Sequence, residues 1–150
     1  MTDAPERFDS PGVISAVATR SLADRIGLEA GDELLSVNGH PVRDVIDVRY
    51  YASEPLLQLR VRRSGEIRLW KAERQHGEPL GLTFEDPIFD RIRCCDNRCE
   101  FCFVTQMPRG LRPSLYVKDD DYRTSFLFGS YVTLTNLTHA DWERIEEQHL

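Results

Sequence analysis

The chain has 150 residues, 41% of them hydrophobic and 29% charged, the balance of a globular protein with room for one mid-sized domain or two small ones. No apolar run approaches the roughly eighteen residues a membrane span needs, and the formal net charge of -6 disfavours nonspecific attraction to nucleic acid or anionic lipid. Neither a membrane nor a nucleic acid is an expected partner. All four cysteines fall between Cys94 and Cys102, and Met1-Thr2-Asp3-Ala4-Pro5-Glu6 lacks a basic-then-apolar export pattern, so a metal site in a reducing cytoplasm is expected over structural disulfides.

In chain order, residues 1–10 are polar and aperiodic and read as a loose leader, with a first domain expected over 11–86. Gly12–Val17 is a short β-type run, and Ser21 opens a brief helical turn through Leu22, Ala23 and Ile26. Gly27 and Gly31 permit turns a side chain would oppose, Leu34, Leu35 and Val37 supply a buried strand, and Asn38-Gly39 is a tight-turn dipeptide. A helix is predicted from Val42 to Ala52 with Val45, Val48 and Tyr51 or Ala52 inward, stopped by Pro55. Leu57, Leu59 and Val61 alternate with polar residues as a half-buried strand, and Ser64-Gly65 turns it into another through Ile67, Leu69 and Lys71. The polar loop Gln75–Glu78 leads to Pro79-Leu80-Gly81-Leu82-Thr83-Phe84.

The run Gly27-Leu28-x-x-Gly31-Asp32-x-Leu34-Leu35-x-Val37-Asn38-Gly39-x-x-Val42 resembles a PDZ domain. Leu80, Gly81 and Leu82 then resemble its carboxylate-binding loop, here at the end of the domain as in the circularly permuted bacterial form. The resemblance implies a peptide or protein partner whose terminal carboxylate is held by N–H groups of this loop while a peptide strand joins the sheet. Pro79 stands where that pattern has its first glycine and has no N–H to donate. The alternative is a domain that merely docks onto the C-terminal half of the chain.

Glu85-Asp86-Pro87 leads without an evident flexible linker into Ile88–Arg93, predicted as a strand that delivers its end to a reactive loop, the way α/β barrels build their sites. The loop is Cys94-Cys95-Asp96-Asn97-Arg98-Cys99-Glu100-Phe101-Cys102. Cys95, Cys99 and Cys102 have the spacing C-x3-C-x2-C, which suits three corners of a cuboidal [4Fe-4S] cluster and leaves one iron open. Interruption by Asp96, Asn97, Arg98 and Glu100 argues against buried structural cysteines. Zinc is the stronger rival, with Cys94 or one of His40, His76 and His139 as fourth ligand, although no second C-x2-C pair exists to complete the usual arrangement.

Beyond the loop, Phe103-Val104-Thr105 is apolar enough to cover a cluster. Arg109 and Arg112 read as solvated loop charges, and Lys118–Arg123 as a solvated or salt-bridged turn, because three consecutive aspartates do not converge on one ion. Tyr131–Leu137 reads as a strand, and Thr138 as the N-cap of a helix with Asp141 three residues on and Trp142, Ile145 and His149 along one face.

With Phe101 at the aromatic position of C-x3-C-x-aromatic-C, the cysteine loop resembles the radical S-adenosylmethionine (radical SAM) superfamily, and the whole chain resembles a bacterial group of PDZ-linked radical SAM proteins. The resemblance implies an oxidoreductase-type iron-sulfur enzyme: Cys95, Cys99 and Cys102 hold the cluster and S-adenosylmethionine chelates the open iron with Phe101 beside it. An external electron donor reduces the cluster. It also implies that the end of the second strand holds the cofactor's amino group; the usual Gly-Gly-Glu is missing, which leaves Thr133, Thr135 and Asn136 as positional candidates. The implied architecture is mixed, α+β then α/β: a small PDZ-like β-domain, then over 87–150 the first strands and helix of a radical SAM α/β barrel. A barrel needs about 200 residues, so further strands and the substrate residues are expected beyond Leu150, and this portion is expected to be inactive alone. The alternative is a PDZ peptide-binding module with a zinc-stabilised cysteine tail.

Overall fold

In the computed structural model, which describes residues 10–150, the chain forms two units, one ending at Asp90 and the other spanning Arg91–Leu150. Of the expected leader, residues 1–9 lie outside the described residues.

The first unit is a six-stranded antiparallel sheet with two short helices. Its strands are β1 (Gly12–Val17), β2 (Glu33–Val37), β3 (His40–Pro41), β4 (Leu56–Arg63), β5 (Glu66–Glu73) and β6 (Leu82–Phe84), in the order β5-β4-β2-β1-β6 with β3 beside β2. Leu34, Val37, Leu59 and Val61 are fully buried and pack with Leu22 and Ala23 of α1 (Leu22–Ile26) and Val48 of α2 (Val45–Tyr51). Ser21 caps α1 by accepting from the Asp24 N–H at 3.3 Å.

Two sequence expectations shift in register. The helix predicted from Val42 begins at Val45, because the Asp44 carboxylate accepts from the Ile46 and Asp47 N–H groups at 3.0 and 2.9 Å and caps it there. Ile46, Val48 and Ala52 therefore face the core, and Val45 does not. In β5 the apolar residues Ile67 and Leu69 face solvent, 53% and 52% exposed, while Trp70 and Ala72 pack on the core. The Ser64-Gly65 turn, with φ of 52° and 84°, is the cause. It pairs Arg63 with Glu66, which sets Trp70 opposite the buried Leu59 and Leu69 opposite Arg60.

The loop before β6 is fastened to α1. Arg25 donates from Nε and Nη2 to the Glu78 carboxylate at 3.0 and 2.8 Å, a pairing that holds Glu78 down at about 2. The carbonyls of Pro79 and Leu80 accept the first N–H groups of α1, from Leu22 and Ala23, both at 3.1 Å. Gly81 has φ of 77°, and a Cβ there would lie 2.2 Å from the Ser21 side chain. Gly81→Ala is expected to destabilise the first unit by about 3 kcal/mol, from left-handed strain plus overlap with the α1 cap; a urea titration followed by Trp70 fluorescence in a Trp142→Phe background measures it.

Past β6 the chain does not form the predicted strand. Ile88 makes one isolated bridge to Asp44, with the Val45 N–H donating to Pro87 and the Phe89 N–H to Arg43 at 3.0 and 2.8 Å. Ile88 is buried and the Phe89 ring lies 5.0 Å from that of Phe84, so apolar burial in the first unit takes this segment instead of a barrel ladder.

In the second unit the helices are α3 (Tyr122–Phe128) and α4 (His139–Gln148), with a 3-10 turn at Pro113–Tyr116. Among its described residues the only ladder pairing is a Cys94–Asp119 bridge. The strand predicted over Tyr131–Leu137 is absent: Leu134 has φ of 61°, and the Thr133 and Thr135 N–H groups donate to side chains instead of a neighbouring strand. The Thr138–Asp141 capping box forms as expected. Burial on α4, however, falls on Asp141, Arg144 and Gln148, and Trp142 is 46% exposed. Among the described residues no helix is long and apolar enough to cross a membrane.

Candidate functional site

The cysteine loop is tied down at its root. Arg93, just before it, donates from Nη1 and Nη2 to the Asp141 carboxylate at 2.6 and 2.7 Å, a bidentate pair on the first turn of α4. Asp141 is also bound by the Thr138 N–H and hydroxyl at 2.8 and 2.7 Å. Burial opposes its ionisation, but these donors outweigh burial and hold the carboxyl well below the usual range. The Arg93 N–H donates to Asp121 at 3.0 Å, and its carbonyl accepts from the Asp120 N–H at 3.0 Å.

From this anchor the loop runs extended, and its burial alternates. Cys95, Asn97 and Cys99 are half-buried, whereas Cys94, Asp96, Arg98 and Glu100 are exposed. A turn follows, with the Cys102 N–H donating to the Cys99 carbonyl and the Gln106 N–H to the Cys102 carbonyl, both at 3.2 Å. Alternation and turn together bring Cys95, Cys99 and Cys102 onto one cavity of about 470 Å³. Cys94, with its isolated pairing to Asp119, is not among the lining residues.

The cavity walls are largely apolar, with Phe101, Phe103, Val104, Val117, Tyr131 and Val132 beside Asn97, Lys118, Asp120 and Thr133. Of the expected cover, Val104 is buried while Phe103 is 73% exposed. Phe101 stands at the rim, 82% exposed. The Cys102 thiol is drawn below its usual range, first by the Thr105 backbone N–H, against burial, then by the Val104 N–H, the Thr105 hydroxyl and the Lys118 charge.

The three aspartates serve three ends. Asp119 accepts from the Thr124 hydroxyl at 2.8 Å; Asp120 accepts from the Thr133 N–H and hydroxyl at 2.6 and 2.7 Å; Asp121 caps α3 and pairs with the fully buried Arg123 at 2.8 and 2.9 Å. Sequence pattern placed these in a solvated or salt-bridged turn and missed α3. An N-cap aspartate at Asp121 and a left-handed Gly129, φ 73°, were the available signals.

Of the three residues expected at an amino group, Thr133 lines the cavity. Thr135 and Asn136 do not, but each bonds to a residue that does: the Thr135 hydroxyl to Thr133 and Asn97 at 2.8 and 2.9 Å, and the Asn136 amide to the Asp120 carbonyl at 3.3 Å. Asn97 and Asp120 are additions that no local pattern marked, since their partners lie 38 and 13 residues away.

Among the described residues no three His, Cys, Asp or Glu side chains form a set for one metal ion. Of the histidines weighed as zinc ligands, His40 stacks on Tyr51 at 4.2 Å and His139 lies 3.9 Å from Glu143, 89% exposed. A cuboidal cluster asks for a different arrangement, three thiolates facing one cavity and each bound to its own iron. The donor set, the shared cavity and the N–H groups aimed at Cys102 fit such a group.

Leu80, Gly81 and Leu82 lie in the first unit, their loop turned so that the carbonyls of Leu80 and Gly81 accept from Ala23 and Ala18 at 3.1 and 2.8 Å.

Residues 13–63 match the PDZ domain family, although the sheet continues past them through β5 and β6. Residues 74–150, just over half of the chain and including every cysteine, match the Radical SAM-like domain. The chain therefore belongs to the Radical SAM-like domain family and carries a PDZ domain before its cysteine loop.

Proposed function

We propose that this chain is a radical SAM iron-sulfur protein in which Cys95, Cys99 and Cys102 ligate a [4Fe-4S] cluster, Phe101 and Thr133 line the space for S-adenosylmethionine, and Thr135 and Asn136 brace its walls from behind. The observation that carries the reading is the sorting of the cysteines: the three with motif spacing share one cavity, and Cys94 is left out. When bound, the cluster and S-adenosylmethionine supply one-electron cleavage of a sulfur-carbon bond and a carbon radical able to take a hydrogen atom from substrate.

The chain's own residues prepare that chemistry. N–H groups of Thr105 and Val104 favour the Cys102 thiolate, Lys118 adds positive charge beside it, and Val104 supplies a buried apolar wall that limits water. Phe101 offers an aromatic face at the rim for an adenine or sulfonium group. A protein electron donor and, at the Leu80–Leu82 loop, a peptide or protein ligand are the proposed partners, in the cytoplasm.

Anaerobic reconstitution with iron and sulfide, followed by iron, sulfide and zinc analysis and electron paramagnetic resonance of the reduced protein, tests the reading. About four irons and a spectrum altered by S-adenosylmethionine are expected. One zinc per chain with no stable cluster overturns it and leaves a PDZ module with a metal-stabilised tail.

A further inference from the structure

We propose that Asp120 is a positioning residue that sets the polarity of a hydrogen-bond chain ending on Asn97, so that the cysteine loop presents an acceptor to an N–H donor in the cavity. This rests on the cofactor reading above for the identity of that donor, the amino group of S-adenosylmethionine.

The direction of the chain follows from proton counting. Asp120 is 1% exposed and accepts from Thr133 twice, from the N–H at 2.6 Å and from the hydroxyl at 2.7 Å. A carboxylate only accepts, and a threonine hydroxyl has one proton. With that proton committed to Asp120, the Thr133 oxygen must accept in its 2.8 Å contact with the Thr135 hydroxyl. Thr135 then has no proton left, so its oxygen accepts from Asn97 Nδ2 at 2.9 Å. The amide nitrogen of Asn97 is thereby held toward Thr135, and its carbonyl oxygen becomes the free end of the chain.

Asn97 lies between Cys95 and Cys99 and lines the cavity with them, so the end of the chain stands among the proposed ligands. Asn136, outside the cavity lining, donates to the Asp120 carbonyl at 3.3 Å and braces the start of the chain from behind. The capacity left open at Asn97 is acceptor capacity, which suits an N–H donor and repels an anion.

Asp120→Asn is nearly isosteric and reverses the chain. The Thr133 N–H is a fixed donor, so the new amide oxygen must face it and the new NH2 must face the Thr133 hydroxyl. Thr133 then donates to Thr135 and frees the Thr135 proton, so the constraint that held the Asn97 nitrogen on Thr135 is lifted. Asn97 is expected to flip and accept that proton, turning a donor toward the cavity. The variant keeps all three cysteines.

Two measurements on the full chain decide the proposal. In the metal-free protein, proton-nitrogen NMR should show the Asn97 side-chain NH2 near Thr135 in the wild type and away from it in Asp120→Asn, with an upfield shift of the Thr133 amide proton. An Asn97 amide that stays against Thr135 in the variant overturns the relay, independently of any cofactor. In the reconstituted protein, iron content should be unchanged while the dissociation constant for S-adenosylmethionine, read by calorimetry, rises roughly tenfold or more. A flipped Asn97 with unchanged affinity overturns the positioning role. A wild-type cluster indifferent to S-adenosylmethionine overturns the cofactor reading and the ligand assigned to Asn97 with it, while the NMR result still decides the relay.

Discussion

Cys99→Ala is expected to reconstitute with at least roughly tenfold less iron and sulfide than the parent chain, and Cys94→Ala with a full complement. The contrast rests on where the two thiols stand. Cys99 is half-buried on the cavity with Cys95 and Cys102, and its carbonyl accepts from the Cys102 N–H, so the loop is folded around its position. Cys94 is exposed, outside the cavity lining, and bridged to Asp119 on the outer side of the chain's alternation. Removing one of three ligands leaves two thiolates for a group that needs three from the protein, whereas removing Cys94 removes none. The readout is iron and sulfide content after anaerobic reconstitution. Equal loss in both variants would sink the assignment of ligands; full retention in Cys99→Ala would sink the cluster reading itself.

Asp141→Ala is expected to destabilise the second unit by about 3 kcal/mol, the lower end for breaking a buried ion pair because the Arg93 side chain is 31% exposed. The substitution leaves Arg93 without the carboxylate that takes both its terminal nitrogens and strips α4 of half its capping box. The chain has two tryptophans, Trp70 in the first unit and Trp142 beside Asp141. Urea unfolding in a Trp70→Phe background therefore reports α4 alone. The pH dependence carries a definite sign. The folded Asp141 carboxyl lies below its ordinary 3.8, so its contribution is fully present above that pH and is lost as pH falls toward the lower folded value. The wild-type midpoint should fall below about pH 4, and the gap to Asp141→Ala should narrow progressively from there downward. A gap that persists in acid would mean the carboxylate charge is not what Arg93 needs.

The first unit was largely legible in the sequence. Leu57, Leu59 and Val61 announce a one-sided strand by alternation, and Ser21, Asn38-Gly39 and Ser64-Gly65 mark a cap and two turns whose chemistry is local. What failed there was the start of α2, the strand expected from Ile88 and the inward face of β5. Ile67 and Leu69 are as apolar as core residues, but the two-residue turn sets them opposite Arg62 and Arg60 and places Arg68 and Trp70 opposite Val61 and Leu59, so register outranks hydrophobicity. The second unit was less legible because its interior is polar. Asp120, Asp121, Arg123, Asp141 and Arg144 are buried, and Phe101, Phe103, Phe126, Phe128 and Tyr131 are exposed, so a reading that sends apolar residues inward picks the wrong face of α4 and misses α3. Periodicity measures burial of apolar groups and says nothing about burial stabilised by ion pairs.

By itself the sequence determined the features whose partners are near neighbours: the C-x3-C-x2-C spacing, the Thr138–Asp141 capping box and the alternating strands. Only the tertiary structure decided which cysteines share a cavity, that Arg93 meets Asp141 across 48 residues, and that Asp120 holds Thr133 across 13. The physical reason is that a hydrogen bond between distant residues leaves no period and no spacing in the chain. Its two ends become neighbours only after the backbone between them has folded, and in the Radical SAM-like domain those distant bonds are what shape the cavity.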